Sequence, residues 1–237
     1  MTLILLPNLI DDSASIDLYF PKDLKDIILS LDGLIAENEK NARRYLLRFI
    51  DREKMQKIKI RLLNEHTTSD EIKVLLNLIK NENFGLISDA GLPCIADPGS
   101  KLVFLSHQSN IEVKALTGPS SIFLALMLSG LNGQKFAFQG YLPRDENQLI
   151  QKIKFLESES LKQKQTQIFI EAPYRSDKLL NILKKSLNKN TLLSIAINLS
   201  SKDEKVITQK VSFWQKQKLI IGKNPAIFLF SSDNHGS

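Results

Sequence analysis

The stretch richest in possible chemistry reads Ser88-Asp-Ala-Gly-Leu-Pro-Cys-Ile-Ala-Asp-Pro-Gly-Ser100. It follows a short apolar run and precedes a helical pattern. In a parallel α/β sheet, ligands bind outside the carboxyl ends of the strands. Two glycines and two prolines here fix the backbone and let a ligand approach it closely. Asp89 sits where a carboxylate can accept from a ribose hydroxyl or an ammonium group. Asp97 reads as the cap of a helix beginning near Pro98. The same spacing also suits a rigid strand-to-helix connection that binds nothing.

Three further stretches close a strand and open a helix. In Leu116-Thr-Gly-Pro-Ser-Ser-Ile122, Gly118 permits a tight turn and Ser120 or Ser121 can cap. Free N–H groups at such a helix start bind anions or polar ligand atoms. In Phe169-Ile-Glu-Ala-Pro-Tyr-Arg175, Tyr174 can stack on a flat ring and Arg175 can pair with an anion. A structural Glu171–Arg175 pair fits equally. In Ala36-Glu-Asn-Glu-Lys-Asn-Ala-Arg-Arg44, Glu37 lies just past a strand end. Arg43 and Arg44 follow on a helix, where a solvated basic face is the usual explanation. His66, in Asn64-Glu-His-Thr-Thr68, shares the expected carboxyl edge with Glu37 and Asp89. A lone loop histidine is more often structural than catalytic.

The elements that must position these residues follow from periodicity. Apolar runs at 3–6, 33–36, 58–62, 84–87 and 111–116 alternate with helical patterns at 38–49, 69–80, 100–107 and 120–128. Alternation of this kind predicts parallel pairing in an α/β layer structure. The second half reads as strand 135–139, helix 146–159, strand 167–171 and helix 176–187, then strands 192–198, 205–210 and 226–230. Little helix separates the last three, which predicts antiparallel pairing and a mixed sheet. We place a boundary near Gly118, giving two α/β domains, 1–118 and 119–237.

Composition excludes several classes. The 237 residues are 43% hydrophobic and 24% charged, which rules out disorder, collagen and coiled coil. A single cysteine, Cys94, leaves no disulfide framework. No G-x-G-x-x-G, P-loop or G-x-S-x-G is present. The three histidines, His66, His107 and His235, lack metal-ligand spacing, so no metal is expected. No apolar run reaches the roughly 18 residues of a membrane span. The N-terminal Met-Thr-Leu-Ile-Leu-Leu-Pro7 lacks a basic region and a small-residue cleavage site. A cytoplasmic protein with no membrane partner is expected. Net charge is +6, compatible with RNA, although a bias toward Lys, Asn and Ile gives the same excess.

Taken together, the stretches resemble the tetrapyrrole methylase superfamily of S-adenosylmethionine-dependent methyltransferases. They are most similar to the branch that 2′-O-methylates a ribose of small-subunit ribosomal RNA. The pattern Ser88-Asp-Ala-Gly-x-Pro-x-Ile-x-Asp-Pro-Gly99 carries most of the resemblance. Thr117-Gly-Pro-Ser-Ser121, Gly140-Tyr-Leu-Pro143 and Glu171-x-Pro-x-Arg175 follow in the family's order. Three segments depart from the branch. Its longer Thr-Pro-Ile-Gly-Asn opening is Leu6-Pro-Asn-Leu-Ile10 here, its Ala-Glu-Asp-Thr-Arg is Ala36-Glu-Asn-Glu-Lys40, and its Ser-Pro-His-Arg is Ala172-Pro-Tyr-Arg175.

The resemblance implies a two-domain fold with the cofactor in the cleft between domains, and a homodimer. It implies that Ser88, Asp89, Ala90, Gly91, Pro93, Gly118, Pro119, Ser120, Ser121, Pro225 and Ala226 line the cofactor pocket, with Pro7 and Tyr174 beside them. It implies methyl transfer to ribosomal RNA. A small-molecule methyltransferase, or a non-catalytic S-adenosylmethionine-binding protein, are the alternatives. A ribose hydroxyl is a weak nucleophile, so a base should help. Glu37, His66 and Glu171 are the candidates, Glu37 first because it survives in an altered motif. Arg43, Arg44 and Arg144 are the candidates for contacting RNA.

Overall fold

The computed structural model describes residues 1–232. The chain divides into two compact units, Met1–Ser120 and Ser121–Ser237.

The first unit holds β1 (Thr2–Leu5), β2 (Gly33–Ala36), β3 (Lys59–Leu62), β4 (Phe84–Leu86) and β5 (Glu112–Ala115). They form one sheet in the order β3-β2-β4-β1-β5. Every pairing is parallel. Parallel neighbours need crossovers, and helices supply them. Ile16–Tyr19 and Leu24–Leu29 lie between β1 and β2, and Glu39–Leu46 and Arg52–Lys57 between β2 and β3. Ser69–Ile79 leads to β4 and Ser100–Gln108 to β5.

The burial pattern explains the order. The inner strands β2 and β4 are buried throughout, as a sheet covered on both faces requires. The edge strands β3 and β5 carry the charged residues. Side chains alternate between faces along each strand. Leu34 therefore joins the layer of Leu24, Ile28 and Leu46. Its neighbour Ile35 joins the opposite layer, with Leu75, Ile79 and Phe84. Helix Ser69–Ile79 opens with a capping box. The Thr68 hydroxyl accepts from the Glu71 N–H, and the Glu71 carboxylate accepts from the Thr68 N–H at 2.7 Å.

The second unit holds β6 (Phe136–Tyr141), β7 (Thr166–Ile170), β8 (Leu192–Ile197), β9 (Lys205–Lys210) and β10 (Ala226–Ser231). Their order is β6-β7-β10-β8-β9. β6 and β7 run parallel, joined by the long helix Glu146–Gln163. The other pairings are antiparallel, which makes a mixed sheet. The Phe169 ring packs against Phe228 and Phe230, its centroid 5.8 Å from each of theirs. Trp214 is buried beside them and donates its Nε1–H to the Leu193 carbonyl at 2.9 Å. Helix Ser121–Ser129 covers the other face through Ile122, Ala125 and Leu126. Among the described residues, no helix is long and apolar enough to cross a membrane.

Some elements escape the sequence reading. Helices Ile16–Tyr19, Leu24–Leu29, Arg52–Lys57 and Val211–Trp214 are four to six residues long, too short to develop a period.

Gly33 marks one packing constraint. A Cβ there would lie 2.1 Å from the Phe84 ring, which is fully buried. Gly33→Ala should therefore destabilise the protein by about 1–3 kcal/mol, as overpacking does. Urea unfolding reads this as a lowered midpoint. An unchanged midpoint would show that the ring moves aside freely.

Candidate active site

Parallel pairing brings the carboxyl ends of β2, β4, β1 and β5 to one edge in that spatial order. Four loops leave there, and they are tied to one another. The Asn8 N–H, after β1, donates to the Gly91 carbonyl, after β4, at 2.7 Å. The Asn8 side-chain amide donates to the carbonyls of Ser88 at 2.9 Å and Asp89 at 3.0 Å. Gly118, after β5, packs on Pro7, where a Cβ would lie 2.1 Å from the Pro7 Cβ. The Ser88 hydroxyl donates to the Ala90 carbonyl at 3.0 Å and closes the turn. Thus Pro7, Ser88, Asp89, Ala90, Gly91 and Gly118 form one platform. Pro93, Pro119 and Ser120 are buried within the same loops.

The backbone after β4 is strained. Gly91 and Gly99 have φ of 73° and 129°. Cys94 and Ala96 also take left-handed φ, 68° and 63°, without being glycines. Such residues cost of order 1–3 kcal/mol each and cluster at ligand sites. Helix Ser100–Gln108 starts at Gly99 with no side-chain cap. Asp97 therefore does not cap a helix near Pro98, because the left-handed turn delays the helix past it.

Asp97 instead joins a group of carboxylates. Glu37 follows β2, half-buried, and its Oε1 accepts from the Asp89 N–H at 3.3 Å. The helix behind it starts at Asn38, whose Oδ1 accepts from the N–H groups of Lys40 and Asn41. Burial pushes the Glu37 carboxyl above its usual range. The Asp89 N–H opposes this, and the charges of Asp89 and Glu65 reinforce it. Burial, with the charges of Glu37 and Asp89, lifts Asp97 to about 7. Burial and Asp97 lift the Cys94 thiol to about 11, so it is no thiolate nucleophile at neutral pH. Among the described residues, no His, Cys, Asp and Glu cluster is arranged to hold a metal ion. His235 lies outside the described residues.

Beside Glu37 lies an open groove of about 600 Å³, lined by Asn38, Lys40, Arg43, Leu62 and Asn64 among others. Arg43 pairs with Glu39 at 2.6 Å and Arg44 with Asp12 at 3.0 Å. His66 stands in the turn after β3, its side chain 85% exposed and 3.5 Å from the Glu65 carboxylate. It hydrogen-bonds neither Glu37 nor Asp89.

The remaining candidates belong to the second unit. The Glu171 Oε1 accepts from the Ala172 N–H at 2.9 Å. Its Oε2 lies 3.2 Å from Arg175 Nη2, without hydrogen-bond alignment. That carboxylate is nearly inaccessible and already has a cationic partner. Ile170 pairs with Ile227, so Glu171, Pro225 and Ala226 share one sheet edge. The Pro225 carbonyl accepts from the Asn198 N–H at 3.0 Å. Tyr174, in the turn Pro173–Arg175, is 75% exposed. Ser121 opens helix Ser121–Ser129. Arg144 makes no ion pair among the described residues.

Sequence reasoning passed over Asn8 and Arg48. Asn8 follows Pro7 at a strand end, which is a usable signal. Arg48 follows helix Glu39–Leu46, and nothing local marks it.

The family model of tetrapyrrole (corrin/porphyrin) methylases matches residues 24–212. The chain belongs to this family. A protein of Xylella fastidiosa named ribosomal RNA small subunit methyltransferase I is 30% identical over 192 residues, 81% of this chain and 67% of the relative. Its namesake in Streptococcus pyogenes serotype M6 is 35% identical over 184 residues, 77% of this chain and 60% of the relative. The namesake in Thermotoga maritima is 37% identical over 115 residues, 47% and 49% of the two chains. The match thus spans about half to two thirds of these relatives' length. The crystal structure of the methyltransferase CobJ superposes with a TM-score of 0.61 at 11% identity, covering 97% of this chain and 92% of that one. That likeness establishes the fold.

The Asp97 environment makes stability depend on pH. Unfolded, Asp97 titrates near 3.9; folded, it titrates near 7. The folded state then binds the extra proton between these values, so stability falls as pH rises from about 4 to 7. Asp97→Asn removes this dependence. Its melting midpoint should exceed that of the wild type at pH 8 and converge with it at pH 4. Parallel curves for the two proteins would contradict the assignment.

Proposed function

We propose that this protein transfers a methyl group from S-adenosylmethionine to a ribose 2′-hydroxyl of small-subunit ribosomal RNA. The observation that carries this reading is the position of Glu37. Its carboxylate accepts from the Asp89 N–H and also lines the open groove. One group thus faces both the donor loop and the space where an acceptor would lie.

The platform suits the donor chemically. S-adenosylmethionine supplies a methyl group on a cationic sulfonium, displaced in line by a nucleophile. Asp89 and Asp97 place negative charge where a sulfonium and an ammonium need it. Asp89 can accept from ribose hydroxyls. The bare backbone of Gly91 leaves room for close approach. Fixed loops hold the reactants aligned, and alignment is worth on the order of 7–11 kcal/mol at best.

The acceptor side falls to Glu37. Its raised pKa brings it nearer the working pH, which favours a general base. In this role Glu37 takes the proton from the ribose hydroxyl as the oxygen attacks. Lys40 and Arg43 on the groove wall would meet the phosphates. An open groove suits a strand of RNA better than a small planar molecule, which needs an enclosed apolar cavity. We further infer a cytoplasmic protein that works as a homodimer, in keeping with the family resemblance.

Two measurements test this. The first follows labelled methyl from S-adenosylmethionine into small subunits, free RNA and small molecules from cells lacking the gene. Label in small-subunit RNA is expected, at a 2′-O-methyl nucleoside after digestion. Label in the small-molecule fraction would move the acceptor, and cofactor binding with no label would make the protein non-catalytic. The second uses Glu37→Gln. Transfer should fall about 10²–10⁴-fold, with cofactor affinity little changed. The wild-type rate should climb with pH as Glu37 ionises, and that limb should vanish in the variant. Full activity of Glu37→Gln would remove Glu37 as the base.

A further inference from the structure

We propose that Asn8 is a positioning residue that orients Glu37 through the Ser88–Asp89 peptide, with Arg48 holding Asn8 in place. The inference rests on the functional reading above and extends it to two residues outside the proposed binding set.

Asn8 is 5% exposed, and its side chain is fully committed. Its Oδ1 accepts from the Leu9 N–H and from Arg48 Nη1, both at 2.9 Å. Its Nδ2 spends both hydrogens on the Ser88 and Asp89 carbonyls. That uses the whole capacity of a side-chain amide. A merely structural asparagine could satisfy itself locally. This one spans 80 residues of sequence to grip another loop.

The decisive feature is the peptide it grips. The Ser88 carbonyl and the Asp89 N–H belong to the same planar unit and point in opposite directions. Asn8 holds the carbonyl end at 2.9 Å. Glu37 receives the N–H end at 3.3 Å. Rotation of that peptide would break both bonds together. Asn8 therefore fixes where the N–H points, and so where the Glu37 carboxylate rests.

Arg48 closes the circuit. It follows the helix Glu39–Leu46 that begins beside Glu37. Its Nη1 donates to Asn8, and its Nη2 pairs with Asp12, which Arg44 of the same helix also holds. The path from Glu37 along the helix to Arg48, across to Asn8, through Ser88–Asp89 and back to Glu37 is a closed ring.

The test is the pH–rate profile of methyl transfer for the wild type and the variants Asn8→Ala, Asn8→Asp and Arg48→Met. The Asp89 N–H opposes the upward shift of Glu37. Freeing that N–H should therefore move the ascending limb to higher pH. Asn8→Ala should lower transfer at neutral pH by about tenfold, the scale of one lost hydrogen bond, and shift the limb upward. Asn8→Asp separates the two halves of the clasp. It keeps the acceptor for Arg48 and Leu9 but has no donor for the carbonyls, so it should behave like Asn8→Ala. Arg48→Met should give a smaller shift in the same direction and add nothing to Asn8→Ala. Asn8→Ala should also add little in a Glu37→Gln background. An Asn8→Asp variant with the wild-type profile would overturn the proposal. So would variants whose rates fall only in step with melting temperature while the limb stays fixed. If Asn8→Ala does not fold, the limb of Arg48→Met decides by the same criterion. A wild type that transfers no methyl, or a fully active Glu37→Gln, would instead overturn the functional reading beneath.

Discussion

Parallel pairing is the constraint on which everything else in the first unit depends. Parallel strands deliver all their carboxyl ends to one edge, and each crossover must return over a face of the sheet. The order β3-β2-β4-β1-β5 then makes neighbours of loops far apart in sequence. Pro7, Glu37, Asp89 and Gly118 meet because β1, β2, β4 and β5 end together. No loop could assemble that group alone. The antiparallel part of the second unit sends strand ends both ways, and there only one corner, at Glu171, Pro225 and Ala226, gathers candidates.

The carboxyl edge concentrates costs that the layers beneath must offset. Cys94 and Ala96 sit in left-handed backbone, and three acidic groups crowd one another. The helix starts only at Ser100, which leaves Asp97 in the turn before it, within reach of the charges of Glu37 and Asp89. Strain and like charge are tolerable because β4 below is fully buried and held on both sides by β1 and β2. A cationic ligand would relieve the charge, which gives the crowding a purpose.

Much of this was legible in the sequence, for physical reasons. Runs such as 33–36 and 84–87 are continuous and apolar because both faces of the sheet are covered, and that pattern identifies inner parallel strands. The mixed sheet of the second half showed in the intervals between its last three strands, which hold too little helix for crossovers. Glu37 was visible because it directly follows such a run, and Asp89 because it lies two residues past one. Asn8 and Arg48 were not, because their importance is a through-space bond between segments 40 residues apart. Asp97 was misplaced because a helix start read from Pro98 ignores Gly99, whose φ of 129° puts the first helical residue at Ser100. His66 was placed on the right edge, yet the turn after β3 points it into solvent.

In the proposed function, the methyl donor rests on the loops after β1, β4 and β5, with Glu37 alongside. Amide hydrogen exchange of the whole protein, with and without S-adenosylmethionine, tests it most directly. The ligand should slow exchange in residues 88–91 and 117–120, while β3 and the helix Ser100–Gln108 stay unchanged. Binding that leaves residues 88–91 and 117–120 unprotected would contradict it.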